Sequence, residues 1–336
     1  MNKRNFAFFA FFFYIITFSA NLFAKEEEKK KDYLSMKITP EAGLLNGTIN
    51  EYVYSATCLN TDNKMSELDW ELKNVPVFSL TADFDILDKV YAGLTGRFGF
   101  PVSCGNMQDY DWLNSTKAAW SYQSPTELTN YSCHDSKVNK MFMVMLRVGF
   151  NLFLPAEVKL SPYVAYQYDY IGFDSFDGYS IYKSNNYRTS FLQGKVISYS
   201  HEMNSILTGI KVSFNKIPRT SIDGDFCFSP GLTFLNANDY HYMNVAGGYG
   251  TAYWDKFSNT WLIKAHLSIQ YRFNNNHSSG ISGGIEFMPG AKGQTSYKNL
   301  AQNGTPSYGQ WNTNSSDSGG TKRFLWTINI NYSFSL

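Results

Sequence analysis

Several things are scarce in this chain. The charges nearly cancel, with 29 basic and 28 acidic residues leaving a net of +1, so there is no basic footprint of the kind that nucleic-acid binding needs. Beyond residue 24 no segment approaches the ~18 consecutive apolar residues of a spanning helix, which excludes a helical membrane protein. Cysteines number only four, Cys58, Cys104, Cys133 and Cys227, and their spacing fits no zinc pattern. An even number in an exported chain allows a disulfide, and Cys104 with Cys133, which flank one expected loop, is the expected pair.

Aromatic residues, by contrast, are abundant. They make up 17% of the chain, with 24 Tyr and 27 Phe, although the mean hydropathy is below zero. Residues 1–24 run from Lys3-Arg4 through an apolar stretch to Ala24, the order of a secretory signal, and the apolar stretch is too short for the ~20 residues of a membrane anchor. No cysteine follows it closely, so lipid attachment is not indicated. Residues 25–33 form a charged lead-in, and residues 34–336 are expected to form one domain.

That domain is written in alternation. In the last stretch Phe324, Trp326, Ile328, Ile330, Tyr332 and Phe334 alternate with Leu325, Thr327, Asn329, Asn331, Ser333 and Ser335, which describes a strand with one apolar and one polar face. The same reading recurs at 34–57, 66–86, 90–104, 138–153, 158–180, 198–215, 221–235, 260–274 and 278–295, making ten strands. Short breaks at Asp88-Lys89, Pro155, Lys216–Arg219 and Asn274–Asn276 alternate with long polar stretches around 58–65, 108–137, 181–197, 241–257 and 296–320. A soluble sandwich would not produce that asymmetry of connections or a repeated aromatic outer face. The pattern predicts an all-β fold: a ten-stranded antiparallel transmembrane β-barrel. Strands of 15 or more residues exceed the ~9–11 that a bilayer requires, so the barrel is expected to project beyond the outer membrane on its long-loop side.

Parity then orients two polar clusters. Along 90–104 the polar, inward set is odd-numbered, and in the absence of a bulge it continues to Met107, Asp109 and Asp111. Along 221–235 the inward set is again odd and leads to Asp239 and His241. All four ionisable side chains are therefore expected at one mouth of the barrel. Asp239 can orient His241 as a general base, the Asp109/Asp111 pair can hold a water and share a proton, and neither Ser nor Cys is placed as a nucleophile. That combination suits hydrolysis by an activated water with no cofactor; a divalent metal held by the three carboxylates and the histidine is the less favoured alternative. A lone Asp-x-Asp is far more often turn chemistry or a weak calcium ligand, and a lone Asp-x-His is usually a surface pair; here the coincidence of the two favours chemistry. Of the other histidines, His266 is read as a lumen residue and His134, His201 and His277 as loop or rim residues. Arg97, Arg147, Lys264, Arg272 and Glu286 are read as a paired lumen network.

The segments Lys64–Trp70, Gly105–Trp112, Trp120-Ser121 with Ser124, Ala165–Gln167 and Asn238–Tyr242 resemble the omptins, outer-membrane endopeptidases built as ten-stranded barrels. The resemblance implies that Asp109 and Asp111 form one catalytic couple and that Asp239 and His241 form the other, acting on peptide or protein substrates outside the cell. It also implies a pocket for a basic substrate side chain at Glu51 and Met107. Where that pocket has its second acid, this chain has Ala237, so a weakened basic preference is expected. The family's outward arginines for lipopolysaccharide fall on Tyr170 and Glu202, which implies a chain that does without that lipid. The alternative to an enzyme is an inactive barrel of the same descent that serves as a surface adhesin.

Overall fold

The computed structural model describes residues 34–55, 63–113, 127–155, 158–242, 250–301, 304–314 and 316–336. The signal and lead-in expected over 1–33, together with Cys58, Trp120, Ser121 and Ser124, lie outside the described residues.

Ten long strands follow one another: β1 (Leu34–Tyr54), β2 (Lys64–Ile86), β3 in two segments (Val90–Gly99 and Val102–Asp111), β4 (Asn130–Phe150), β5 (Val158–Tyr182), β6 (Lys195–Phe214), β7 (Thr220–His241), β8 (Thr251–Arg272), β9 (His277–Asn299) and β10 (Gly319–Ser335). Each pairs antiparallel with its neighbours in sequence, and β1 pairs with β10 from Lys37↔Ser335 to Val53↔Gly319, which closes the ring. Closure leaves no strand edge to be satisfied by lipid. Short strands at Leu152–Leu154, Thr189–Phe191 and Asn312–Thr313 decorate the connections.

The alternation resolves as expected. Phe324, Trp326, Ile328, Ile330 and Tyr332 face outward, at 42–69% exposed, while Thr327, Asn329, Asn331 and Ser333 are buried inside. From Phe324 to Tyr332 the apolar face covers eight residue steps, roughly 26 Å along the strand at ~3.3 Å per residue, or about 20 Å of height at a barrel tilt of ~40°, most of an outer-membrane apolar band. Inside that band the lumen is filled by paired charge. The fully buried Arg323 reaches Asp169 at 2.5 Å and Glu286 at 2.6 Å, Lys264 reaches Glu286 at 3.3 Å, and Arg147 reaches Asp225 at 3.6 Å. His266 sits 3.4 Å from Glu41, a lumen position as expected. Arg97 belongs to the lumen through a bond to the Ser79 hydroxyl at 3.3 Å. Arg272 does not: it donates to the carbonyls of Asn215 and Ile217 at the short-turn rim.

The strands run further than their alternation shows. β3 extends to Asp111, β4 starts at Asn130, β7 reaches His241, and β8 starts at Thr251, all inside stretches expected to be loops. Above the bilayer neither face needs to be apolar, so the pattern fades while the hydrogen-bond ladder continues. Where the two regimes meet, the register slips in several strands: at Leu45/Gly47 against β2, Ser103/Gly105 against β4, Val138/Lys140 against β5, Phe228/Thr233 against β6, and Met288/Ala291 against β10.

The expected disulfide is absent. Cys104, Cys133 and Cys227 are free. Cys104 is buried on the inner face with its Sγ 3.5 Å from the Ser136 hydroxyl, whereas Cys133 pairs with Gln108 higher up. Its neighbours Ser132 and His134 are the buried residues there, so Cys133 points to the opposite side of the sheet.

Candidate active site

β3 and β7 stand on opposite walls of the ring, and their upper ends carry the two polar clusters. The parity expected along β3 survives only because two irregularities cancel. The ladder breaks at Phe100-Pro101, where proline has no N–H to give, and past the break Cys104 rather than Ser103 is buried. A bulge between Ser103 and Gly105, with Gly105 at φ +110°, then restores the odd-numbered set, so Met107 is fully buried. Glycine is required there, because a Cβ at 105 would lie 2.1 Å from Glu71 Oε2 as well as strain the backbone. In β7 the slip between Phe228 and Thr233 moves the register by two, so odd parity carries through to His241.

Backbone bonds pin both ends. The Asp111 carbonyl accepts from Thr129 N at 2.9 Å and Thr129 Oγ1 at 3.0 Å, Trp112 N donates to Met65 O at 2.9 Å, and Tyr242 N donates to Val196 O at 2.9 Å. His241 Nε2–H donates to Asp239 Oδ2, and the ring meets Tyr253 edge-on at 5.4 Å. Both aspartates of the β3 couple feel the His241 charge, and His241 feels theirs, so the two clusters face one electrostatic site. Burial disfavours the imidazolium, but Asp239 outweighs it, with help from Asp109 and Asp111, and His241 is raised to about 8. Burial, and then the neighbouring Asp111, push Asp109 well above the usual carboxylate range. Ser66, which pairs with Asp111 across the strands, is near enough to both carboxylates of that couple to offset part of their rise. Asp109 Oδ1 and Asp239 Oδ1 are buried acceptors with no protein partner.

Of the expected pocket residues, Met107 and Ala237 each lie two residues before a catalytic candidate on its own strand, and Glu51 is the cross-strand partner of Leu68, which in turn pairs with Asp109. Glu51, Met107 and Ala237 are all buried, with Met107 paired to Trp70 on one side and His134 on the other. Trp70 stacks on Tyr199 at 5.4 Å and tilts against Phe173 at 5.3 Å, forming an aromatic wall. Burial first, then Asp239, Asp255 and Asp109, push Glu51 well above its ordinary value.

Four residues of the site were not foreseen from the sequence. Asp255 is buried, pairs directly with Ala237, and is pushed up to about 7 by burial, with Asp239 adding to it. It lies in a stretch read as a loop. His134, expected at the rim, is instead buried on the cleft wall, where its Nε2 sits 2.9 Å from Ser132 Oγ. His201 likewise is fully buried, paired with Ala237 from the other side. Only His277 keeps the expected rim position, beside Tyr332 and Phe334. Tyr253 was hidden by the same absence of alternation as Asp255.

Residues 31–334 match the Omptin family. The plasminogen activator of Yersinia pestis is 27% identical over 210 residues, covering 62% of this chain and 64% of that protein, so the chain aligns with just under two thirds of that relative. The outer membrane protease OmpP of Escherichia coli is 24% identical over 84% of this chain and 87% of its own length. The crystal structure of the outer membrane protease OmpT from Escherichia coli superposes with a TM-score of 0.77 at 21% identity, covering 92% of this chain and 99% of that one, a likeness of fold. A closed ten-stranded ring with an apolar belt, matched end to end, makes this chain an outer-membrane β-barrel of the omptin family.

Proposed function

We propose that the protein is an endopeptidase that hydrolyses peptides or proteins at the cell surface, with its cleft facing outward and water as the nucleophile. The observation that carries this reading is the arrangement of His241, bonded to Asp239, across one cleft from the Asp109/Asp111 couple. Relatives named as a plasminogen activator and as outer membrane proteases support it.

The chemistry follows from the groups present. With Nε2–H donated to Asp239, a neutral His241 ring carries its lone pair on Nδ1 and can accept a proton from water. The proton held by Asp109 and Asp111 lets that couple donate to one oxygen while accepting from another. Water oxygen adds to the scissile carbonyl as His241 takes its proton, and the imidazolium then gives that proton to the departing amine. Asp239 keeps the ring oriented and stabilises the imidazolium.

Refolding the full chain in detergent and assaying peptides with paired basic residues tests the reading. Asp239→Ala and His241→Ala are expected to lower kcat by ~10²–10⁴, the usual contribution of a positioned base. Wild-type inactivity across a diverse peptide library would leave the adhesin reading in its place. A chelator is expected to leave the rate unchanged.

The outer surface bears on the lipid requirement. Tyr170 and Glu202 are cross-strand partners, Tyr168 donates to Glu202 at 3.1 Å, and Lys140 lies over the Tyr170 ring at 5.2 Å. An acid in that patch opposes binding of lipid phosphates. Activity in plain detergent is expected to stay the same when lipopolysaccharide is added; a protein silent until the lipid is present would contradict this.

A further inference from the structure

The buried acids in and beside the catalytic cluster share a one-sided chemistry. Glu51 from β1, Asp239 from β7 and Asp255 from β8 are each 2–3% exposed, and each has one carboxylate oxygen, Glu51 Oε2, Asp239 Oδ1 and Asp255 Oδ1, with no hydrogen-bond partner. Among the described residues, no lysine or arginine forms a salt bridge with Glu51 or Asp255. Buried carboxylates elsewhere in the barrel, such as Asp169 and Glu286, are paired with Arg323. The fold neutralises these lumen acids with a cation of its own and leaves Glu51 and Asp255 without one. Burying a carboxylate without a partner is costly, so its persistence points to a partner that arrives from outside.

The position of Asp255 is specific. It is the cross-strand partner of Ala237, so the two side chains share the inner face one strand apart, about 4.8 Å in the hydrogen-bonding direction. Room for its carboxylate is cut from β10: a Cβ built on Gly319 would stand 3.1 Å from Asp255 Oδ1 and 2.6 Å from Thr295 Oγ1. Tyr199 feels the charge of both Glu51 and Asp255, so both acids lie near the aromatic wall that Tyr199 forms with Trp70. Flat aromatic walls with carboxylates beside them fit a guanidinium or ammonium on an aliphatic stem.

We propose that Asp255 is a specificity-determining residue: with Glu51 it forms a two-carboxylate receptor for the basic side chain that the substrate presents beside the scissile bond. Its carboxylate takes the place of one at position 237, reached from the neighbouring strand, so Ala237 does not weaken the basic preference as its sequence position implies. The assignment to a substrate side chain rests on the endopeptidase reading. Burial, with Asp239 adding to it, pushes Asp255 up to about 7, as befits a group that ionises fully only when a cation joins it.

The test uses the refolded full chain and peptides that differ only in having Arg, Lys or Gln before the cleaved bond. Wild type is expected to favour Arg over Gln in kcat/KM, and Asp255→Asn, or the smaller Asp255→Ser, to reduce that ratio by ~10–100-fold, the loss of one charge-assisted contact. Adding Ala237→Asp to Asp255→Asn is expected to restore most of the ratio, a rescue that a merely structural role would not give. Agmatine binding by calorimetry supplies a readout independent of cleavage, expected to weaken at least ~10-fold in Asp255→Asn. An unchanged Arg-to-Gln ratio together with unchanged agmatine binding, in a variant that still migrates as a folded barrel, would overturn the receptor alone. Agmatine bound by a wild type that cleaves no peptide would end the endopeptidase reading while the receptor stands.

Discussion

Residue by residue, the site is a concentration of acid around one imidazole, and its response to pH has two opposite signs. His241 can accept a proton only when neutral, so kcat/KM is expected to rise with pH and level off above about 8, its value in the fold. The groups facing it are Asp239, Asp109, Asp111, His134 and Tyr253. Asp239→Asn should move that limb down toward the ordinary 6.5, in whatever activity remains. Stability runs the other way. A raised His241 contributes stability fully below about 6.5, and that contribution is lost as pH rises through 8. Asp255, raised from 3.8 to about 7, likewise favours the fold at low pH and loses that contribution across the interval between those values. Thermal midpoints between pH 4 and 7 should therefore depend less on pH in Asp255→Asn than in wild type. Asp109, Asp111, Asp239 and His241 were legible in the sequence because a strict odd spacing carried them. Asp255 was not, because Tyr253, Asp255 and Phe257 follow the same spacing in a stretch where no lipid-facing residue marks the alternate positions.

At the scale of the strand, the interruptions carry as much as the regular ladder. Ten strands and the alternation of short and long connections could be read directly, since a bilayer enforces an apolar face at every second residue. Nothing enforces it above the membrane, so the upper parts of β3, β4 and β8 were hidden among the expected loops. The inward aim of Asp109 and Asp111 was expected on the premise of an uninterrupted strand, and it holds because the break at Pro101 and the bulge at Gly105 offset each other. Deleting Gly105 removes one of the two and should turn Asp109 and Asp111 outward. The expected result is a folded barrel without activity, in which a cysteine placed at 109 reacts with bulky thiol reagents from outside the cleft; retained activity would show that the strand re-registers elsewhere. Gly105→Val keeps the count but forces a bulky residue into a left-handed conformation against Glu71, at a cost of order 1–3 kcal/mol, measurable as a lower unfolding midpoint.

Taken whole, the molecule divides its tasks by height. The lower half is a lipid-facing cylinder with a lumen of paired charges, and the upper half is a cup of aromatic and acidic side chains. Arg323 marks the division, since it is buried and answers both Asp169 and Glu286 beneath the aromatic wall. Arg323→Met strands two buried carboxylates and should destabilise the barrel by about 3–5 kcal/mol, seen as unfolding at lower denaturant, while the triple change that also replaces Asp169 and Glu286 with apolar residues should recover much of that loss. That plug of interlocked ions has a consequence for the cell that carries the protein. A bore lined by interlocked counter-charges opposes the passage of free ions, so inserting many copies should leave the electrical resistance of a planar bilayer unchanged. The outer membrane can then be crowded with such cups without becoming leaky.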